Sequence, residues 1–242
     1  MTYCVGVLLD EGIIFASDSR THASVDNFAK FCKMTVFERL GDRVIVLLSS
    51  GCLAGTQAII SLLKQRCDTN DCIPNLWTAR TMFDVAGLVS DATRDIERRD
   101  ATYVKTSELA FNASFIFGGQ IKGEPLRLFR TYAESNFIEA ETETPYLQTG
   151  ETKYGKPILD RVINSATNMS DAAKCVLVSF DSTMRSNLSV GMPIDLVCYE
   201  RDCFKVSLRR RFEQGDAYFA ALGKQWTEGV RKVFSELPEL ES

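Results

Sequence analysis

Apolar and polar positions along this 242-residue chain fall into two kinds of block. The first is a short, nearly continuous apolar run bounded by turn residues, the pattern of a strand buried on both faces. Residues 2–9 and 12–17 form such a pair across Asp10 and Glu11 and predict a β-hairpin. Residues 34–38 and 43–48 predict a second pair, with Gly41 and Asp42 supplying the turn chemistry. A third lies at 113–118 and 126–132, separated by the turn-rich stretch 119–125, and weaker strand signals follow at 136–139 and 146–149. Residues 193–200 and 203–209 predict a closing pair across Arg201 and Asp202.

In the second kind of block, apolar residues recur at three and four positions, the spacing of a helix with one buried face. Residues 56–66 carry Ile59, Ile60, Leu62 and Leu63 in this way. Residues 77–99 carry Met82, Val85, Ala86, Val89 and Ala92. A third helix is predicted over 154–166, with Pro157 near its first turn where proline is tolerated. Ser170 reads as the N-cap of a helix over 171–184, and Asp171 falls in its favourable first turn. A final helix spans 216–234. The order is strands, two helices, strands, two helices, strands, helix. Segregated blocks of this sort predict an α+β layered fold with sheets packed face to face and helices outside. No repeat or linker divides the chain, so a single domain over 1–242 is expected.

Composition narrows the function. The 45% hydrophobic and 25% charged fractions are those of an ordinary globular protein. No stretch approaches the roughly 20 apolar residues of a membrane helix. Asp10 and Glu11 interrupt the first apolar run, which argues against a secretory leader and for a cytoplasmic protein. The net charge is −4, and the basic cluster Arg209–Arg211 with Arg201 and Lys205 has no aromatic stacking motif beside it. It reads as a solvated strand end or a subunit contact, not a nucleic-acid site. None of the eight cysteines are paired at CxxC spacing, so they read as reduced, small apolar residues. Cys32, beside Lys33, is the candidate for oxidation. With one histidine and scattered cysteines, neither a metal site nor another cofactor is expected.

The candidate chemistry sits at the start. Removal of Met1 would leave Thr2 carrying both a hydroxyl and a free α-amine, a nucleophile with its own base. An unperturbed α-amine has a pKa of about 7.7–8.0, close to working pH. A threonine elsewhere would need a borrowed base, and the chain holds a single histidine, His22.

The run 12–20, Gly-Ile-Ile-Phe-Ala-Ser-Asp-Ser-Arg, resembles the signature of proteasome β-type subunits, a glycine, apolar residues, two small residues, then Asp-x-Arg. The segment 50–57, Ser-Gly-Cys-Leu-Ala-Gly-Thr-Gln, resembles that family's glycine-containing turn from strand to helix. The segments 35–38, 146–157 and 180–189 are more narrowly similar to the bacterial ancestral β-subunit (Anbu) group of proteasome-related proteins. The likeness spans nearly the whole chain.

The resemblance implies an N-terminal-nucleophile hydrolase with a four-layer αββα sandwich, acting as a threonine peptidase on peptides or unfolded proteins. It also implies a homo-oligomeric ring or barrel enclosing the active sites; a partner ATPase unfoldase is left unnamed. Thr2 would be the nucleophile, Asp18 would hold Lys33 in place, and Lys33 would lower the pKa of the Thr2 hydroxyl and amine. Gly51 would offer its N–H to the oxyanion. Arg20, Asp181, Ser186 and Ser189 are candidates for a surrounding layer. His22, Ser49 and Leu53 are candidates for the substrate pocket, which Ser49, Cys52 and Leu53 suggest is apolar to neutral. Two departures stand out. Counted from Thr2, Lys33 falls one position short of the family's lysine, with Lys30 as an alternative. The segment 148–151, Gln-Thr-Gly-Glu, lacks the serine the family carries there. That missing serine motivates a rival reading, a ring-forming scaffold with vestigial activity. A hydrolase of non-peptide amides is the other rival.

Overall fold

The structure is a computed structural model that describes residues 2–24, 27–69, 73–104, 112–132 and 136–240, with the backbone alone at 22–24, 27–29 and 101–104. Strands β1 (Tyr3–Leu8) and β2 (Gly12–Asp18) open the chain, followed by β3 (Arg20–Ser24), β4 (Asn27–Lys30), β5 (Met34–Arg39) and β6 (Arg43–Gly51). Helices α1 (Leu53–Asp68) and α2 (Met82–Val104) come next. Then follow β7 (Ala113–Ile121), β8 (Arg127–Thr131), β9 (Phe137–Glu139) and β10 (Tyr146–Gly150). The chain ends with α3 (Lys156–Val162), α4 (Met169–Ser186), β11 (Ile194–Glu200), β12 (Leu208–Phe212) and α5 (Ala217–Ser235).

Two antiparallel five-stranded sheets result, in the orders β10-β1-β2-β11-β12 and β5-β6-β7-β8-β9. Alternation along each strand divides its side chains between two cores. Tyr3, Val5 and Val7 of β1, with Ile14 and Ala16 of β2, pack against α3, α4 and α5. Ile45 and Leu47 of β6, with Phe115 and Phe117 of β7, pack against α1 and α2. The intervening residues Cys4, Ile13, Phe15, Val44, Val46 and Ile116 meet between the sheets. The layers are therefore helix, sheet, sheet, helix. Both faces of the central strands are buried, which is why their sequences read as continuous apolar runs.

The elements differ from the sequence expectation where turn chemistry outweighed apolar content. The hairpin β3–β4 was not predicted; it forms a separate two-stranded sheet, so neither sandwich core imposes alternation on it. α2 starts at Met82, not at residue 77. Trp77 instead belongs to a turn in which its N–H donates to Asn75 Oδ1 at 2.8 Å. Thr81 and Asp84 then cap the helix reciprocally, each side chain accepting the other's N–H at 3.0 Å. The cap of α4 is Asn168, whose Oδ1 accepts the Asp171 N–H at 2.9 Å, and not Ser170. The last strand lies at Leu208–Phe212 because the loop before it holds Asp202 and Phe204 at positive φ. The arginine cluster sits on this edge strand in local ion pairs, Arg210 with Asp216 and Arg211 with Asp195 and Glu213. Among the described residues, no helix is long and apolar enough to cross a membrane.

Candidate active site

Antiparallel pairing brings several strand ends to one edge of the sandwich. In the second sheet, Gly51 at the end of β6 is paired with Ala113 at the start of β7. Lys33 immediately precedes β5, and Thr131 ends β8. In the first sheet, Tyr3 at the start of β1 is paired with Gly150 at the end of β10. These ends surround a cavity of about 540 Å³ whose wall includes Thr2, Lys33, Ser49, Gly51 and Leu53. Five of the residues singled out in the sequence therefore face one space.

Asp18 lies behind this wall with no exposed surface. Its Oδ1 accepts the Lys33 ammonium at 2.7 Å and the Tyr3 N–H at 3.0 Å. A single oxygen thus ties the cation to the peptide group directly after Thr2. The Gly191 N–H approaches Oδ2 at 3.4 Å, and the Lys33 Nζ also donates to the Arg20 carbonyl at 2.7 Å. Burial pushes the Asp18 carboxyl up from its ordinary range, and the Lys33 charge and these hydrogen bonds oppose it. Lys30, the alternative to Lys33, has a side chain 64% exposed and pairs with Glu213 on the surface. Lys33 sits in a short irregular segment between β4 and β5, so strand register does not fix its count from Thr2.

Thr2 is held by its own backbone. The Glu151 N–H donates to the Thr2 carbonyl at 2.7 Å. Gly150, at φ +85°, passes so close that a Cβ there would lie 1.9 Å from that carbonyl oxygen. Gly51 is constrained in the same way, with φ +101° and the Asn112 carbonyl 2.0 Å from where a Cβ would stand. A side chain at either position would displace the backbone that borders the cavity. Behind Thr2, the Tyr3 hydroxyl accepts from Gln148 Nε2 at 2.6 Å and shares a hydrogen with Ser179 Oγ at 3.0 Å. This pins β1 to α4.

The segment 148–151 has no serine but does present a hydroxyl. Thr149 Oγ1 lies 2.9 Å from Ser50 Oγ and donates to Ser114 Oγ at 3.2 Å, and all three residues line the cavity. The wall is rich in hydroxyls and carries the cations Lys33 and Arg130, so it is more polar than Ser49, Cys52 and Leu53 suggested. Ser50, Ser114, Thr149 and Arg130 went unread. Their signal was faint: single polar residues next to the ends of strands, Ser114 near the start of β7 and the others near the ends of β6, β8 and β10.

The remaining candidates lie elsewhere. The Arg20 guanidinium donates to the Leu188 carbonyl at 2.8 Å, and its backbone carbonyl accepts from Lys33. Asp181 pairs with Arg185 at 2.8 Å and packs against Gly223 of α5. Ser186 is exposed at the end of α4, and the Ser189 N–H donates to Asn187 Oδ1 at 2.9 Å. None of these four lines the Thr2 cavity. The His22 side chain and Met1 lie outside the described residues. Cys32 is exposed, but its thiol bonds the Met34 carbonyl and approaches the Asp195 carboxylate, and partial desolvation of the sulfur raises its pKa. That environment disfavours the thiolate that oxidation requires.

No protein-family model and no curated protein matches the chain. Among solved structures, a mutant of Anbu from Hyphomicrobium sp. strain MC1 is 49% identical, with all of both chains covered and a TM-score of 0.93. Anbu, the ancestral beta-subunit, from Yersinia bercovieri is 44% identical over 99% of this chain and 100% of its own, also with a TM-score of 0.93. The helical assembly of the Anbu complex from Pseudomonas aeruginosa is 42% identical over 99% of this chain and 98% of its own, again with a TM-score of 0.93.

Proposed function

The chain belongs to the Anbu family of proteasome-related ancestral β-subunits, and from that premise we propose that it is one subunit of a homo-oligomeric, N-terminal threonine peptidase. The observation that carries this reading is the shared Asp18 oxygen, which fixes the Lys33 ammonium beside the start of β1. A cation held there favours the ionised hydroxyl and the unprotonated amine of a freed Thr2.

The mechanism needs Thr2 to be released from whatever precedes it, because an amide nitrogen is no base. Thr2 Oγ1 then attacks the peptide carbonyl while its proton passes to the α-amine, directly or through a water. The oxyanion of the tetrahedral intermediate is stabilised at the Gly51 turn. Collapse breaks the C–N bond, and the α-ammonium returns the proton to the leaving amine. An ester to Thr2 remains, which water hydrolyses with the α-amine again acting as base. This sequence uses no metal or organic cofactor.

Support for assembly comes from the helical complex of the Pseudomonas aeruginosa relative. Exposed Val230, Val233 and Phe234 on α5 are apolar surface that association would cover.

Hydrolysis of fluorogenic peptides by the processed protein, beside Thr2→Ala and Lys33→Met, is the test. Turnover lost in Thr2→Ala and reduced at least about 100-fold in Lys33→Met is expected, the scale of a missing acid–base or charge-stabilising group. A processed protein that assembles but cleaves no peptide would support the scaffold reading instead. Cleavage of acyl-amides alone would support an amidase.

A further inference from the structure

Resting on the reading of the Thr2 cavity as a peptide site, we infer that Arg130 makes it select substrates bearing a carboxylate side chain. Arg130 is a half-buried cation on β8 that lines the same cavity as Thr2. Among the described residues no carboxylate pairs with it. By contrast, Arg127 on the same strand is held by both oxygens of Glu139 at 2.6 Å. The Arg130 Nε–H is buried with no acceptor among the described residues, and its guanidinium lies 5.3 Å from the centre of the Tyr132 ring. Stacking on an aromatic ring holds a guanidinium in place without satisfying its hydrogen-bond donors.

The rest of the wall sharpens the sign of the field. The other charged lining residue, Lys33, is already paired with Asp18, and among the described residues no lining residue is an acid. Hydroxyls such as Ser114 and Thr131 complete a polar surround. Facing such a wall, a substrate lysine or arginine meets like charge and finds no acceptor carboxylate. A glutamate or aspartate finds a planar donor group of matching geometry.

Reach is adequate. β8 lies two strands from β6, and register sets Arg130 level with Ile116 and Leu48, three residues before Gly51, a diagonal of about 14 Å at ordinary strand spacing and rise. The long arginine side chain and a substrate side chain together span that distance from the Gly51 turn. Discrimination of this kind is set both by the attraction for the acid and by the repulsion of the base.

The test measures binding separately from chemistry. Fluorescein-labelled tetrapeptides, Ala-Ala-Ala-Glu and Ala-Ala-Ala-Lys, are titrated by anisotropy into assembled Thr2→Ala protein, which cannot turn them over. The glutamate peptide is expected to bind at least tenfold tighter, with the ratio shrinking as salt rises. The preference should collapse in Thr2→Ala/Arg130→Gln, survive in Thr2→Ala/Arg130→Lys, and invert in Thr2→Ala/Arg130→Glu. Equal affinities for the two peptides, or a preference unaltered in the glutamine variant, would overturn the inference. Because the salt series needs no Arg130 variant, misfolding of one would not rescue the claim. An acid preference in these titrations, with no turnover by the Thr2 protein, would sink the peptidase reading and leave the Arg130 assignment standing.

Discussion

Asp18 and Lys33 are buried charges, and each is tolerable only because of the other. Removing one partner of such a pair leaves the survivor unsatisfied at a cost of about 3–5 kcal/mol. Lys33→Met is therefore expected to lower unfolding stability by that order in urea titration, since it strands the Asp18 carboxylate with no exposed surface. The double variant Lys33→Met/Asp18→Asn should recover part of the loss, because no charge then stays buried; strict additivity would show the two to be uncoupled. The pair was legible in the sequence because the aspartate lies in a compact motif on one strand. Its geometry was not. Which lysine it took depended on an irregular segment, 31–33, that no periodicity governs. The hydroxyl cluster of Ser50, Ser114 and Thr149 was hidden for a related reason. Its members come from three strands and meet only through antiparallel register across both sheets.

Capping decides where helices begin, and here it overrode apolar content. The Asn168 side chain satisfies the Asp171 N–H at the start of α4, so Asn168→Ala should cost about 1 kcal/mol, read as a shifted urea midpoint with unchanged slope. Phe180 of the same helix is fully buried, with its ring centre 4.6 Å from that of Tyr3. Phe180→Ala should cost about 3–5 kcal/mol and loosen the anchor of β1. Asp216 caps α5 by accepting the Phe219 N–H at 2.9 Å, and that bond holds its carboxyl below the ordinary carboxylate range. A depressed folded pKa contributes stability that is present above the unfolded value of about 3.9 and lost as pH falls through the folded value. Asp216→Asn keeps the cap without the titration, so its stability should fall less steeply below pH 4; an unchanged acid slope would show that the cap does not titrate. The strands of both sheets could be read because two-sided burial leaves a strong sequence signal. The edge strand was expected at 203–209 and lies at Leu208–Phe212, because four of its five residues face solvent and leave no apolar run to fix its position.

The sandwich as a whole gathers several strand ends onto one edge, and the cavity there is built from both sheets. Self-association is expected to give particles many times the 27.1 kDa chain mass by light scattering; a monomer at all concentrations would contradict it. The layered fold followed from the order of blocks in the sequence, but the polarity of the cavity required the folded chain. The proposed chemistry stands on the joint action of the Thr2 hydroxyl and its own amine. A peptide epoxyketone reacts with both groups at once, so the mass of the tryptic peptide ending at Arg20, taken after incubation with that reagent, reports directly on them. A peptide beginning at Thr2 and carrying one probe, absent in Thr2→Ala, is the expected result. A peptide that begins at Thr2 yet stays unmodified, or one that still carries Met1, would contradict it.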